Sequence, residues 1–336
     1  MTSLRLGACL SLTGRYGRFG RQAAHGLNVW QRLAGDGVEL QIEDDASDPD
    51  AFVARFRRVA SHCDVLLGPY STQLMREAGG AMADIDRLLW NQGGSGDDVQ
   101  ALCPGRIVSV LAPTTRYAVP FVRNRAAEKE RLPLWVVRGR GKFGRQVARG
   151  AVDEAQLGAL ETVEKRTGDG PLFDDVPDAW DLFTAGRFED DIAIVNEAKS
   201  LQRPPRTIGS VAAGVQDFAS EVDDPEGIYG IAQWSPDQMA QPELGPSGSE
   251  FVGAYCQVAG ASPDYPAVQA AAGAILALHA VELAGGVDRS ALWEAAASLE
   301  TTTLFGAFRI DATTGAQLKH VPVLLQWHDG QLQHAS

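Results

Sequence analysis

The sequence contains the stretch KFGRQVARG at positions 142–150 and a near copy of it, RFGRQAAHG, at positions 18–26. Each copy follows an apolar run with the pattern of an opening β-strand, and each begins the first long helix of a β/α series. The two copies lie about one lobe apart in the chain. We interpret them as one structural device used twice, which predicts two similar α/β lobes.

The longer stretch GRGKFGRQVARG at 139–150 has a second interpretation. Its glycines form a G-x-G-x-x-G pattern directly after the apolar run LPLWVV, which is typical of a dinucleotide-binding turn. Glu161 and Glu164 follow at roughly the distance where that motif places an acid for the ribose. However, bulky side chains between the glycines would crowd a turn that must approach a cofactor closely. The nicotinamide interpretation is therefore the weaker one, and no cofactor is expected.

Bulk properties narrow the possible functions. A chain of 336 residues is long for a single core, so two domains are expected. The net charge of −13 opposes binding to nucleic acid or to anionic lipid. No apolar run approaches the length of a membrane span, so no membrane insertion is expected. The four cysteines are widely separated, which offers no zinc or redox motif and leaves one disulfide as an open alternative.

Strand-like and helix-like segments alternate along the chain, which is the pattern of parallel α/β sheets. The alternation runs to RIVSVL at 106–111, restarts, and reaches GIYGIAQW at 227–234; both stretches are interpreted as linkers between lobes. The predicted fold is therefore two doubly wound, Rossmann-like lobes. Ligands of such sheets bind beyond the carboxyl ends of the strands. Phe19 and Phe143 would lie there at helix N-termini, one in each lobe.

Several segments resemble the type I periplasmic solute-binding proteins of the branched-chain amino acid group. They are LRLGACLSLTGRYGRFGRQAAHGLNVW, DDASDPDAFVARFRRVA, LLGPYSTQL, NQGGSGDDV, ASPDYPAVQAAAGAILALHAVELAGG and GAFRIDATTGAQ with VLLQWHDG, and they span nearly the whole chain. The resemblance implies a hinged receptor with three crossings between lobes, which closes on a small solute and delivers it to the permease subunits of an ABC transporter. It implies an N-terminal lobe of 1–115 plus 237–305, a C-terminal lobe of 116–236 plus 306–336, and a ligand cleft between them.

The resemblance also implies which groups hold a ligand carboxylate. In that family two loops do so through hydroxyls and backbone N–H groups, and GPYST and QGGSG match those loops here. The matching residues are Ser71, Gly94 and Ser95, with Thr72 and Gly93 as further candidates. Ser71 equally suits the N-cap of a helix, which would be a purely structural role.

Aromatic residues of the family's cleft correspond to Phe19, Phe143 and Tyr265. Tyr70, Trp90 and Trp234 end strand-like runs or begin the following loop and are further candidates, although packing within their own lobe is an equal alternative. Gln269 lies one helical turn after Tyr265, so it is either a ligand contact or a solvent-exposed helix position.

The chain departs from the family where a second-lobe acid pairs with the ligand's ammonium. Val211, Ala212 and Ala213 stand there, and Arg187 or Phe188 stands where a further aromatic is expected. A buried ammonium without a carboxylate is poorly solvated. We therefore expect a carboxylate- or amide-bearing ligand that need not be an α-amino acid, although Glu189 or Asp190 would be alternative acids for an ammonium.

The class of function has one alternative. No H-E-x-x-H, G-x-S-x-G or P-loop pattern and no metal-ligand spacing is found, so neither an enzyme nor a metal site is expected. Only three residues precede the first strand-like run. The protein is expected to be extracytoplasmic if a leader has been removed, and cytoplasmic if Met1 is the native start. In the cytoplasmic case it would be an amide or amino-acid sensor of the same fold that controls a regulatory partner.

Overall fold

A computed structural model describes residues 3–35, 37–236 and 241–335. The chain forms two compact units, which are described separately. The first unit comprises Met1–Ala112 and Pro236–Val321, and the second comprises Pro113–Ser235 and Pro322–Ser336. The backbone therefore passes between the units three times, and a proline is the first residue after each crossing.

Strands and helices alternate through most of both units. In the described residues the strands β1 to β14 are Leu4–Leu10, Val38–Asp44, Val65–Leu67, Leu89–Asn91, Ile107–Ser109, Leu134–Arg138, Thr162–Arg166, Asp181–Ala185, Thr207–Ser210, Tyr229–Ala232, Thr301–Thr303, Gly306–Phe308, Val323–His328 and Gln331–His334. The helices α1 to α9 are Gly17–Ala34, Pro49–His62, Thr72–Ala81, Val119–Ala126, Lys142–Leu157, Phe188–Lys199, Gly248–Ala259, Tyr265–Ala284 and Arg289–Ser298.

The first unit is built on a five-stranded sheet with the order β2-β1-β3-β4-β5, and all its pairings are parallel. Because β1 lies between β2 and β3, the chain winds outward in both directions from it, as in doubly wound folds. Helices α2 and α3 pack on one face, around buried side chains such as Phe52, Phe56 and Met75. The carboxyl ends of β1, β3 and β4 therefore lie at one edge of the sheet.

Helices α1 and α8 also belong to the first unit. The α8 segment Tyr265–Ala284 is long and apolar enough to cross a membrane by length and composition. However, 67% of its most apolar window is buried inside the protein, which is the pattern of a core helix. The sequence pattern predicts no apolar run of this length, because Gln269, His279 and Glu282 interrupt the apolar residues of α8.

The second unit contains a seven-stranded sheet with the order β14-β13-β10-β9-β8-β6-β7. The strands from β7 to β10 in this order are parallel, whereas β13 and β14 are antiparallel additions from the end of the chain. The segment 227–234, expected to be a linker, contributes the interior strand β10. Its buried residues Gly230, Ile231 and Ala232 explain why it belongs in a sheet.

Residues 306–321 lie in the first unit, whereas the sequence analysis placed them in the second. The backbone explains the difference. Strand β12 pairs with β11 in a two-stranded antiparallel sheet, the N–H of Ser109 donates to the Gly315 carbonyl at 2.9 Å, and Gln317 donates to the Val110 carbonyl at 2.9 Å. The other two predicted boundaries, at 115/116 and 236/237, fall within three residues of the crossings. Residue 237, the predicted start of the second segment of the first lobe, lies outside the described residues.

Both copies of the repeated stretch begin helices, α1 and α5. In each unit, a glycine of the stretch allows a close contact between the helix and a strand end. A Cβ atom at Gly20 would lie 2.0 Å from the Ser11 carbonyl oxygen, and one at Gly144 would lie 2.5 Å from the Ala185 carbonyl oxygen. In each unit, this glycine lets the first turn of the helix contact the end of a strand. Two turns later, Gly26 and Gly150 make similarly close backbone approaches.

Candidate functional site

Three aromatic residues predicted to bind a ligand come together in the first unit. Phe19 is the third residue of α1, and its ring stacks on Tyr70 with centroids 4.8 Å apart and planes 11° from parallel. The hydroxyl of Tyr70 lies 3.1 Å from that of Tyr265, at the start of α8. We call Phe19, Tyr70 and Tyr265 the aromatic cluster. It is formed by residues from the carboxyl-end edge of the sheet and from two helix N-termini.

The two predicted carboxylate loops are bonded to each other beside this cluster. The N–H of Ser71 donates to the Gly93 carbonyl at 3.0 Å, and the Thr72 hydroxyl accepts from the N–H of Gly96 at 3.1 Å. Ser71 caps α3, because its hydroxyl accepts from the N–H of Leu74 at 3.2 Å. A serine hydroxyl that accepts one bond still has a proton to donate. The capping role and a ligand role are therefore compatible.

Ser71 has an unusual backbone conformation, with φ of +98°. A non-glycine residue in this region is strained, and such strain is concentrated at functional sites. The two bonds that link the loops hold the residue there. The local structure at the start of α3 therefore depends on the neighbouring loop.

The N–H groups of Gly93 and Gly94 were predicted to bind a ligand carboxylate, but the structure gives them another partner. Both donate to Oδ1 of Asn91, at 3.3 and 2.8 Å. The Asn91 Nδ2 group donates in turn to the Gly94 carbonyl at 2.7 Å and to Ser109 Oγ at 2.9 Å. The hydroxyls of Ser71, Thr72 and Ser95 stay predicted ligand contacts. Asn91 is a structural residue that motif matching missed.

Trp90 and Gln269 lie deeper than predicted. Trp90 is fully buried in β4, with its ring 6.2 Å from that of Phe308, so it belongs to the core and does not line an open surface. Gln269 is fully buried on α8, which rules out the alternative that it is a solvent-exposed helix position. Neither the Trp90 Nε1 group nor the Gln269 amide has a hydrogen-bond partner among the described residues.

The second unit places its predicted residues at the same kind of edge. Phe143 is the second residue of α5, and its ring meets that of Tyr117 edge to face, with centroids 5.6 Å apart. Arg187 occupies the N-cap position of α6 and is exposed, whereas Phe188 is half-buried against the core of this unit. Ala212 begins the short 3-10 helix Ala212–Gly214 after β9, and Trp234 follows β10 and is buried.

Asp191 lies beside Ala212, one of the residues that stand where the resemblance implies an ammonium-binding acid. Asp191, in the first turn of α6, accepts from the N–H of Ala212 at 3.3 Å and lies 3.5 Å from Ser210 Oγ. Desolvation by burial raises the pKa of Asp191 to about 7, against the bond from Ala212, which lowers it. Asp191 therefore links α6 to β9 and to the loop that follows β9.

Comparison with known proteins shows the fold but no sequence relative. No protein family and no curated protein sequence matches the chain. Among solved structures, the leucine binding protein LivK of Thermotoga maritima matches with a TM-score of 0.83 at 16% identity, over 99% of this chain and 98% of that chain. LivJ of Streptococcus pneumoniae, in complex with isoleucine, matches with a TM-score of 0.79 at 14% identity, over 98% of each chain.

A solute binding protein of an ABC transporter from R. palustris, in complex with 4-hydroxybenzoate, matches with a TM-score of 0.81 at 17% identity. The match covers 100% of this chain and 96% of that chain. The chain has the ABC-transporter solute-binding fold. The predicted fold class is thereby confirmed.

The described residues form no metal site, and one cavity of the first unit lies apart from the predicted ligand residues. Within residues 3–35, 37–236 and 241–335, no group of three or more His, Cys, Asp or Glu side chains could hold a metal ion. A cavity of about 380 Å³ opens in the first unit between the end of α1 and the middle of α8, lined by Trp30, Leu33, Ile275 and His279 among others. None of the predicted ligand residues lines it.

Proposed function

We propose that the chain is the solute-binding subunit of an ABC transporter and that it binds a small carboxylic acid or amide, either aliphatic or aromatic. One observation carries the proposal: hydroxyls of the linked loops stand at the carboxyl ends of β3 and β4, beside the aromatic cluster. Ligands of doubly wound sheets bind at this edge. The hydroxyls would hold the polar group and the rings would cover the apolar part.

The ligand that we propose need not carry an ammonium group. Val211 and Ala213 offer no charge at the expected position, and the carboxyl group of Asp191 is buried beneath the loop and bonded to its backbone. A buried ammonium needs an accessible carboxylate to offset its desolvation. Among the ligands named for solved structures of this fold, leucine and isoleucine carry an ammonium, whereas 4-hydroxybenzoate carries a carboxylate and no ammonium.

Three further parts of the proposal remain predictions. The second unit is proposed to complete the site through its residues Phe143, Arg187, Phe188, Ala212 and Trp234. The partners would be the permease subunits of the transporter, and an extracytoplasmic location goes with that role. We propose binding and release of the solute without chemical change, so the chain would not be an enzyme.

A thermal-shift screen of purified, ligand-stripped protein tests the proposal. The panel contains leucine, valine and phenylalanine, their deaminated acids, benzoates, aliphatic amides and NAD. A ligand at 100 times its Kd adds about 2.7 kcal/mol to the free energy of unfolding, which is readily measured. Stabilisation by the acids or amides supports the proposal. A response confined to the amino acids would contradict the ligand class, and a response to NAD alone would contradict the binding-protein role.

Matched serine variants locate the site. Ser71→Ala should weaken binding of the active carboxylate by about 10-fold to 100-fold, because a hydrogen bond to a charged group is lost. Ser61→Ala is the control, since its exposed hydroxyl bonds only within α2. Affinity should be measured by titration calorimetry, because Ser71→Ala also removes a helix cap and lowers stability by itself. Equal affinity of the two variants would exclude the Ser71 loop as the binding site.

A further inference from the structure

Several buried side chains of the first unit carry polar atoms without a hydrogen-bond partner among the described residues, and three of these side chains are uncharged. They are the Nε1 donor of Trp90, the Oε1 acceptor of Gln92, and both amide atoms of Gln269. All three residues have an exposed fraction of 0%. Buried polar groups are nearly always bonded, so several such atoms in one region need an explanation.

The fold brings these side chains to one layer. Trp90 and Gln92 are two residues apart at the end of β4, so they point to the same side of the sheet. Leu89, which alternates with Trp90, packs on the α2 and α3 side, so Trp90 and Gln92 point toward α8. A Cβ atom at Gly273 of α8 would lie 3.3 Å from the Cβ of Gln92.

Gln269 lies one turn before Gly273 and therefore on the same face of α8. We call Trp90, Gln92 and Gln269 the polar layer. Tyr265 lies one further turn toward the start of the helix and belongs to the aromatic cluster through its bond to Tyr70. The polar layer is thus continuous along α8 with the proposed ligand site.

The hydrogen-bond donors and acceptors of the polar layer determine which ligand group it can bind. Trp90 Nε1 and Gln269 Nε2 donate, whereas Gln92 Oε1 and Gln269 Oε1 accept. A partner that satisfies them must donate and accept at once, as a hydroxyl or a carboxamide does. None of the three side chains is charged, so an ammonium or a carboxylate buried among them would not be neutralised.

We infer that Trp90, Gln92 and Gln269 form a specificity subsite that receives an uncharged hydroxyl or carboxamide of the ligand. The inference rests on the proposed function, since the same ligand places its carboxylate on the serine loops. The subsite makes the protein discriminate between ligands of the same shape that differ only in this group. Because the three side chains are buried, neighbouring side chains such as Tyr265 must move for the ligand group to reach them.

Pairs of similarly shaped ligands test the inference by titration calorimetry. The pairs are benzoate with 4-hydroxybenzoate, valine with threonine, and leucine with asparagine; the second member of each carries the hydroxyl or carboxamide. In at least one pair, the wild-type protein should bind the second member about tenfold or more tightly than the first, because the plain ligand leaves the buried polar atoms unpaired. Gln269→Leu should abolish that preference.

Matched variants separate a ligand subsite from a structural network. Gln317→Leu is the control, because that buried amide has partners at both ends: its nitrogen donates to the Val110 carbonyl and its oxygen accepts from the N–H groups of Arg309 and Lys319. Gln317→Leu should lower the unfolding temperature of the unliganded protein. Gln269→Leu should leave it unchanged or raise it, since leucine removes unpaired polar atoms.

The outcomes separate the inference from the proposed function. Binding of carboxylates without preference in any pair, or a preference that survives in Gln269→Leu, overturns the inference alone. A loss of stability in Gln269→Leu as large as that in Gln317→Leu also overturns it, because the amide would then be bonded within the resting protein. Failure of every acid and amide to bind overturns the proposed function, and the subsite falls with it.

Discussion

At the scale of single residues, Asn91 decides how the candidate site is built. Its fully buried side chain makes hydrogen bonds to both the N–H and the carbonyl of Gly94, to the N–H of Gly93 and to the hydroxyl of Ser109. The glycine loop thus has its shape set by one side chain from the end of β4. A ligand anion would therefore meet N–H groups of Gly93 and Gly94 that are already bonded to Asn91.

Asn91→Ala should therefore destabilise the protein by about 3 kcal/mol, because several buried partners lose their bonds at once. Affinity for the ligand should fall as well, since the serine of that loop loses its support. Urea unfolding measures the first effect and calorimetry the second. Asn196→Ala, at an exposed position of α6, is the control and should change stability by less than about 0.5 kcal/mol.

Asp191 predicts a pH dependence of stability. Because burial raises the pKa of Asp191 in the folded protein to about 7, the folded state holds a proton that the unfolded chain releases near pH 4. The contribution of Asp191 to stability is thus fully present below that pH and is lost as the pH rises through about 7. Relative to wild type, Asp191→Asn should gain stability across this range, by on the order of 4 kcal/mol.

Urea unfolding of wild type and Asp191→Asn at several pH values between 4 and 8 measures this difference. Comparing the two proteins cancels the titration of all other groups. A stability difference that stays constant with pH would mean that Asp191 is ionised in the folded protein. In that case the acid beneath the Ala212 loop would be charged, and an ammonium-bearing ligand would be favoured.

At the scale of elements, the repeated stretch is explained by helix packing. Gly20 and Gly144 let a helix start against a strand end, and Gly26 and Gly150 let the same helix pass close to another backbone segment. The repeat is therefore a signature of how α1 and α5 dock, and it places Phe19 and Phe143 at equivalent positions in the two units. The G-x-G-x-x-G pattern is explained by this packing, in which its last glycine, Gly144, contacts the strand end. A Cβ atom at Gly141 would lie in open space, so that glycine has no part in the packing.

Substitution of the packing glycines tests this explanation. Gly150→Ala should destabilise the protein by several kcal/mol, because its Cβ would lie 1.8 Å from the carbonyl oxygen of Thr115 and α5 would have to shift. Gly253→Ala is the matched control, since that residue lies inside α7, is exposed and has nothing within 4 Å of a Cβ. The control should gain up to about 1 kcal/mol from helix propensity. Similar effects of the two substitutions would contradict the packing explanation.

At the scale of the whole molecule, neither unit is continuous in sequence. The second unit takes β13 and β14 from the last residues of the chain, and Trp327 of β13 is buried and donates to the Ala213 carbonyl at 3.0 Å. The predicted boundary after residue 305 lies sixteen residues before the observed one, so residues 306–321 were assigned to the other unit. Local patterns identified the strands but not the sheet that each one joins.

A fragment of residues 113–235 should therefore fail to fold alone, because β10 loses its antiparallel partner β13 and the core of the unit loses Trp327. The same fragment joined by a short linker to residues 322–336 should fold cooperatively. Circular dichroism and urea unfolding of the two fragments measure the difference. A cooperative transition for 113–235 alone would show that the two added strands are dispensable.

The sequence by itself was sufficient for the alternation of strands and helices, the two-lobe fold class and the edge of the sheet where Phe19, Tyr70, Ser71 and Tyr265 gather. The alternation and the two-lobe fold class follow from local periodicity and glycine placement, which neighbouring residues determine, whereas the positions of Ser71 and Tyr265 followed from the family resemblance. Only the tertiary structure decided the partners of Gly94, the deep burial of Gln269, the placement of Asp191 under the Ala212 loop and the unit to which residues 306–321 belong. Each of these depends on contacts between segments far apart in the chain, which no local pattern encodes.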